Sequence, residues 1–233
     1  MSSASTGPRL RKWQQEALDS FLRDKPRDFM AVATPGAGKT TFALRIATEL
    51  MEDRTVERVI VVVPTEHLKT QWSSAAARVG LALDPAFSNS SAVNPSMDGI
   101  VVTYAQVGMH PFKHRAVASA RRTLVILDEI HHAGDAKSWG DGVYEASNGV
   151  EHRLVLLGPG DGEHARVDVA DDHAPTRPQE RDDGVGPRLD ARQPADGTDS
   201  RVDEVEPPLA QRLRRDEDVG LHVLDVDACA VGE

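Results

Sequence analysis

Ala33-Thr34-Pro35-Gly36-Ala37-Gly38-Lys39-Thr40, with Thr41 behind it, is the stretch whose reading decides the fold. The apolar run Phe29-Met30-Ala31-Val32-Ala33 leads into it, and the helical pattern Phe42-Ala43-Leu44-Arg45-Ile46-Ala47 leads out. Strand, glycine loop and helix in that order are the context in which G-x-x-x-x-G-K-[ST] means a phosphate cradle. Gly36 and Gly38 can take positive φ, letting backbone N–H groups approach a polyphosphate that a Cβ would push away. A helix starting near Lys39 aims its positive end at the same anion. Lys39 would reach the β- and γ-phosphates of ATP, and the Thr40 hydroxyl would ligate Mg2+. Pro35, Ala37 and Thr41 belong to the same nucleotide-binding loop. One position departs from the pattern: its first glycine is Ala33. Taken alone, the segment could also be a chance glycine-rich turn before a helix.

The flanking chain removes that alternative. Leu10 to Leu18 reads as an amphipathic helix with Leu10, Trp13, Ala17, Leu18 and Phe21 on one face, ended by the stretch around Pro26. Val59-Ile60-Val61-Val62-Val63 is β-branched without alternation, as expected of a strand buried on both faces of a parallel sheet. A helix is predicted over Glu66–Val79, a polar connection over Leu81–Met97, and a strand over Ile100–Tyr104. A basic helix around Lys113–Arg122 follows, then a strand over Leu124–Leu127, a helix near Ser138–Ala146 and a fifth strand over Arg153–Leu157. Strands alternating with helices predict an α/β fold with a doubly wound parallel sheet, whose ligands bind at the carboxyl ends of the strands.

The fourth strand runs directly into Asp128-Glu129-Ile130-His131-His132. A carboxylate at a strand end, Asp128, can hold Mg2+ beside the β- and γ-phosphates. Glu129 is then placed to orient or deprotonate the attacking water. An isolated Asp-Glu would read as an exposed turn. Here two halves of one site occur in order, each after an apolar strand. The His131-His132 pair lacks the spacing of a zinc site.

These segments resemble a known family. Thr34–Thr40 and Asp128-Glu129-Ile130-His131 are similar to motifs I and II of superfamily 2 helicases of the DEAD/DEAH type, in the branch of the type III restriction enzyme Res subunit. Leu10-Arg11-Lys12-Trp13-Gln14 resembles that branch's adenine-reading segment, with Gln14 as the base contact. Pro64-Thr65-Glu66-His67-Leu68-Lys69-Thr70-Gln71-Trp72 resembles motif Ia, and Thr103-Tyr104-Ala105-Gln106 the next strand-contacting motif. The resemblance implies a RecA-like P-loop NTPase domain over residues 1–157 with ATP and Mg2+ as cofactors. It also implies nucleic acid, DNA ahead of RNA, held at Pro64, Thr65 and Thr103, and a His131 that couples the ATP site to a second helicase domain. Trp13 and Trp72 sit at helical spacing and read as core rather than as base-stacking platforms. The basic stretch with Lys113, His114, Arg115, Arg121 and Arg122 reads as a solvated face, with phosphate contact as the alternative.

The pattern breaks after the fifth strand. Where the family continues with Ser/Thr-Gly-Thr-Pro, this chain reads Leu156-Leu157-Gly158-Pro159-Gly160-Asp161. Gln211-Arg212-Leu213-Arg214-Arg215 only echoes the arginine motif of a second domain. Residues 158–233 hold 14 Asp and 6 Glu against 9 Arg, a net charge of −11 within a total of −10 for the chain. They contain no Lys, Asn, Ile, Met, Phe, Tyr or Trp, although the first six types occur 26 times in residues 1–157. Those six share codons beginning with two A/T bases, so their joint absence suggests a GC-rich gene read out of frame. On either origin, charge and proline content predict an acidic, disordered tail over 158–233, with Val219–Val226 able to form a short strand or helix.

The single Cys229 fits a reducing cytoplasm, and no apolar run approaches the length needed to span a bilayer. The expectation is a cytoplasmic ATP hydrolase of helicase type, cut to its ATP-binding half, with its second domain encoded separately and its unaided activity doubtful. A non-catalytic ATP- and nucleic-acid-binding module is the alternative, and a P-loop kinase is disfavoured by the acidic motif. Ending the sheet after its fifth strand is expected to leave Leu154–Leu157 uncovered, an aggregation hazard.

Overall fold

The computed structural model describes residues 9–130, 137–158 and 222–225. Seven strands form one sheet: β1 (Asp28–Val32), β2 (Arg58–Val63), β3 (Leu83–Asp84), β4 (Gly99–Thr103), β5 (Thr123–Asp128), β6 (His152–Leu157) and β7 (His222–Asp225). Their order is β3-β4-β2-β5-β6-β1-β7, and every neighbouring pair is parallel. The helices are α1 (Lys12–Asp24), α2 (Lys39–Glu52), α3 (Glu66–Ala77), α4 (Tyr104–Met109), α5 (Pro111–Ser119) and α6 (Lys137–Ala146). The expected α/β parallel sheet is therefore present. No helix among the described residues is long and apolar enough to cross a membrane.

Strand residues alternate between two cores. Phe29, Ala31, Val59, Val61, Val63, Leu124, Ile126, Leu154 and Leu156 pack with α1, α2 and α3 on one face. Met30, Val32, Ile60, Val62, Val125, Leu127, Val155 and Leu157 pack with α4, α5 and α6 on the other. Both faces are dry, which is why the strands read as unbroken apolar runs.

Several elements differ from the sequence expectation. Tyr104 does not extend β4; it opens α4, because the Thr103 hydroxyl accepts the Gln106 N–H at 3.1 Å and caps a helix there. The connection after α3 contains the two-residue edge strand β3, paired to Gly99 and Ile100. The basic helix ends at Ser119, before Arg121 and Arg122. Arg115, Arg121 and Arg122 are exposed, as a solvated face requires, and Lys113, Arg115 and Arg122 also meet partners within the fold. Lys113 donates to the carbonyls of Asn89 and Ser91 at 2.5 and 2.9 Å, Arg115 pairs with Glu145, and Arg122 lies 3.5 Å from Glu57. His114 is buried with its Nε2 2.8 Å from Asn89 Oδ1. The uncovered Leu154–Leu157 does not occur either: β6 lies inside the sheet between β5 and β1, and those four residues are at most 2% exposed. Four residues of the acidic tail, His222–Asp225, form β7 against Phe29–Val32.

At the amino ends of β1 and β6 a buried ion pair fixes their register. Arg153 and Asp28 face each other across the ladder, and Arg153 Nε and Nη2 both donate to the Asp28 carboxylate, the second at 2.9 Å. Both side chains are at most 1% exposed. Removing one partner would strand a buried charge, so Asp28→Ala is expected to lower the unfolding free energy by about 3–5 kcal/mol in urea titrations.

His114 supplies a pH dependence. Burial, with the nearby Lys113 and His110 charges adding to it, lowers its pKa from 6.5 to about 4. The unfolded chain therefore binds more protons than the folded one between those values. Stability from this group is complete above pH 6.5 and is lost as pH falls toward 4. Over that range the urea-derived stability should drop more steeply in the parent than in His114→Gln, by up to about 1.4 kcal/mol per pH unit.

Candidate nucleotide site

Because all strands run the same way, the loops that follow them emerge at one edge of the sheet. The loop after β1 turns through Gly36 and Gly38, both left-handed at φ +77° and +91°, and α2 begins directly after Gly38. A Cβ on Gly36 would meet nothing within 4 Å, whereas one on Gly38 would lie 2.5 Å from Gln14 Nε2. The Lys39 ammonium donates to the Ala33 carbonyl at 2.7 Å, so the charge is held at the mouth of the loop. The departure from the first glycine is thus absorbed: Ala33 is fully buried, and Trp13 packs on it and on Ala37.

Gln14 is buried behind this loop. Its Oε1 accepts the Arg11 N–H at 2.7 Å, and its Nε2 donates to the Gly38 carbonyl at 2.9 Å. The residue expected as a base contact therefore also braces the phosphate loop from α1.

Asp128 ends β5, next to β6 and β2. It is 8% exposed, and its Oδ2 accepts the indole N–H of Trp72 at 2.7 Å. The Tyr104 hydroxyl donates to its backbone carbonyl at 2.9 Å. Burial, followed by the Asp128 and Glu129 carboxylates, pushes the Tyr104 pKa well above 10, so this donor stays protonated. Glu129 has φ +50° and donates its N–H to the Leu156 carbonyl at 3.0 Å. A non-glycine residue held there stores about 1–3 kcal/mol of strain, which occurs where geometry serves a site.

Pro35, Gly36, Gly38, Lys39 and Thr40 line one cleft of about 830 Å3 together with Asp128 and Glu129. His67, Gln71 and Trp72 of α3 and Arg78 just after it also line the cleft. Ala37 is buried beneath the loop, and Thr41 lies in the first turn of α2; neither lines the cleft. Pro64 and Thr65 follow β2 and Thr103 ends β4; these strands are neighbours with Val63 opposite Thr103, so the three residues share one stretch of the same edge. His131 lies outside the described residues.

These residues fit a magnesium-bound nucleoside triphosphate. The glycine turn leaves open space where a side chain would intrude, a helix begins at it, and a cation stands beside it. Among the described residues no group of three His, Cys, Asp or Glu could hold a metal by itself. The Thr40 hydroxyl and the Asp128 carboxylate would hold Mg2+, which takes one or two protein oxygens and completes its shell with phosphate oxygens and water.

The family model of the type III restriction enzyme, res subunit, matches residues 7–154. The chain belongs to this family. Uncharacterized proteins of Mycobacterium tuberculosis and Mycobacterium leprae are 59% and 58% identical to it over 157 and 150 residues. These alignments cover 67% and 64% of the chain, which spans about a quarter of the length of either relative (26% and 25%). Among solved structures, the UvsW helicase from bacteriophage T4 matches with a TM-score of 0.52 and 18% identity, over 65% of this chain and 53% of that one. The Sulfolobus solfataricus SWI2/SNF2 ATPase core in complex with dsDNA matches with a TM-score of 0.55 and 17% identity, over 67% and 33%. The res-subunit chain thus has the RecA-like fold of a superfamily 2 helicase ATPase domain, followed by a tail of different composition.

The sequence did not reveal the partner of Trp72 or the second role of Gln14. Trp72 is indeed core, but its ring nitrogen is aimed at the acidic motif. In the res-subunit domain, Gly36→Ala should incur only the left-handed penalty of about 1–2 kcal/mol. Gly38→Ala should exceed it, because the new methyl also displaces Gln14. In a Gln14→Ala background the excess should vanish, as read from urea unfolding of the four variants.

Proposed function

We propose that this chain is the ATP-binding half of a superfamily 2 helicase or translocase that acts on nucleic acid, DNA in preference to RNA. The observation that supports this reading is the one cleft that Lys39 and Thr40 line together with Asp128 and Glu129. Lys39 neutralises the β- and γ-phosphates, Thr40 and Asp128 hold Mg2+, and Glu129 orients or deprotonates water at the γ-phosphate. Mg2+ held by Thr40 and Asp128 would supply charge compensation for the phosphates. Gln14 keeps the loop in register and contacts the base. Pro64, Thr65 and Thr103 hold the polynucleotide backbone at the neighbouring strand ends, and His131 relays the state of the site. The dsDNA in the Sulfolobus structure supports DNA as the partner.

An arginine that compensates γ-phosphate charge is worth about 10³–10⁵ in rate in related NTPases. In this helicase type it comes from a second domain. We read these 233 residues by themselves as a Mg-ATP-binding unit with little turnover and no unwinding. Residues 158–233 we read as a separate segment of out-of-frame origin. The family match ends at residue 154, and six residue types vanish together just beyond it.

Fluorescent N-methylanthraniloyl-ATP should bind the purified chain in the presence of Mg2+, and Lys39→Ala should abolish the signal. Glu129→Gln should keep binding. A strand-displacement assay on duplex DNA should show no ATP-driven unwinding. Unwinding by the unaided chain, or binding indifferent to Lys39→Ala, would overturn the reading.

A further inference from the structure

The buried side of α3 carries two polar-tipped residues one turn apart, Lys69 and Trp72. A buried helix face is normally apolar, and each tip has a specific destination. Lys69 Nζ lies 3.3 Å from Gln106 Oε1 and 3.4 Å from the Phe87 carbonyl, with Glu66 at 3.2 Å. Gln106 Oε1 also accepts the Thr103 N–H at 2.9 Å, so Lys69 ties α3 to the loop at the end of β4. Trp72 reaches the other way, and its indole N–H meets Asp128 Oδ2 at 2.7 Å. Trp72 is 2% exposed and Asp128 8%.

We propose that Trp72 is a positioning residue for the metal site: its indole fixes the Asp128 carboxylate, and through it α3 connects the polynucleotide edge to Mg2+. The inference rests on the proposed nucleotide site. An N–H donor on one carboxylate oxygen sets the rotamer of the group. Outer-sphere donors of this kind typically govern metal affinity by about 10–100-fold. The same helix starts at Thr65, beside the residues assigned to nucleic acid, and Lys69 locks that end to Thr103. A displacement of α3 by a bound strand would therefore be felt at Asp128 without any intervening loop.

The test uses the full chain and N-methylanthraniloyl-ATP, titrated with Mg2+ and, separately, measured in EDTA. Trp72→Phe keeps the aromatic body and removes the donor. It should move the Mg2+ midpoint upward by roughly 10–100-fold while leaving metal-free nucleotide affinity unchanged. Lys69→Met should leave the Mg2+ midpoint in place. Superimposed Mg2+ titrations for parent and Trp72→Phe would overturn the inference, as would an equal loss of metal-free and metal-dependent binding, which is the mark of a merely structural role. Should Trp72→Phe fail to fold, the indole 1H–15N resonance of Trp72 in the parent decides, assigned through Trp13→Phe and Trp139→Phe. It should shift when Mg2+ joins the bound nucleotide, and an unmoved resonance overturns the proposal. A parent that binds no nucleotide removes the proposed function as well. A parent that binds Mg-nucleotide while Trp72→Phe titrates identically removes only the role of Trp72.

Discussion

The parallel direction of every strand is the constraint on which the site depends. Parallel pairing obliges each connection to cross back over a face of the sheet, and the polar ends of β1, β2, β4 and β5 consequently gather at one edge. Lys39 and Asp128 are far apart in the chain, yet β6 alone separates β1 from β5. The hydrogen-bonded ladders set the heights of these strand ends: Asp128 stands level with Leu156, and Ala33 donates its N–H to Leu157. A one-residue slip of β5 would turn Asp128 to the opposite face and exchange the two cores, so the register is held by burial on both sides.

Within that frame the site is built from braced, strained backbone rather than from long flexible side chains. Gly38 is held from α1 by Gln14, Glu129 is held in a left-handed conformation by its bond to Leu156, and Asp128 is held from α3 by Trp72. Three different elements, α1, β6 and α3, thus hold three residues that line one cleft. Preorganisation of this sort places charge before a ligand arrives, so less reorganisation remains for the chemical step.

Much of this was legible in the residues. Val59–Val63 and Leu124–Leu127 announce strands dry on both faces, and the apolar run, glycine loop and helical pattern announce the left-handed turn that opens α2. What escaped was relational. Trp72 at helical spacing reads as core, but nothing local says that its nitrogen meets a carboxylate 56 residues away. The partners of Lys113 and Arg115 are equally hidden in one dimension, because the carbonyls of Asn89 and Ser91 and the carboxylate of Glu145 come from other elements. The left-handed turn at Glu129 leaves no mark in composition, since it is imposed by the ladder to β6. The two-residue β3 is too short for any periodicity, and α4 hinges on one hydroxyl.

The placement of β7 has a kinetic corollary. Its four residues return to β1 across the 64 positions between Leu157 and His222. Closing a connection of that length carries an entropic term on the order of 4 kcal/mol, set against one short ladder. The remaining six strands are joined by far shorter excursions and can assemble first. The sheet therefore completes itself from the inside outward, with β7 the last strand to arrive and the first to leave. Each departure bares the N–H and C=O groups of β1, a template that another extended segment could occupy.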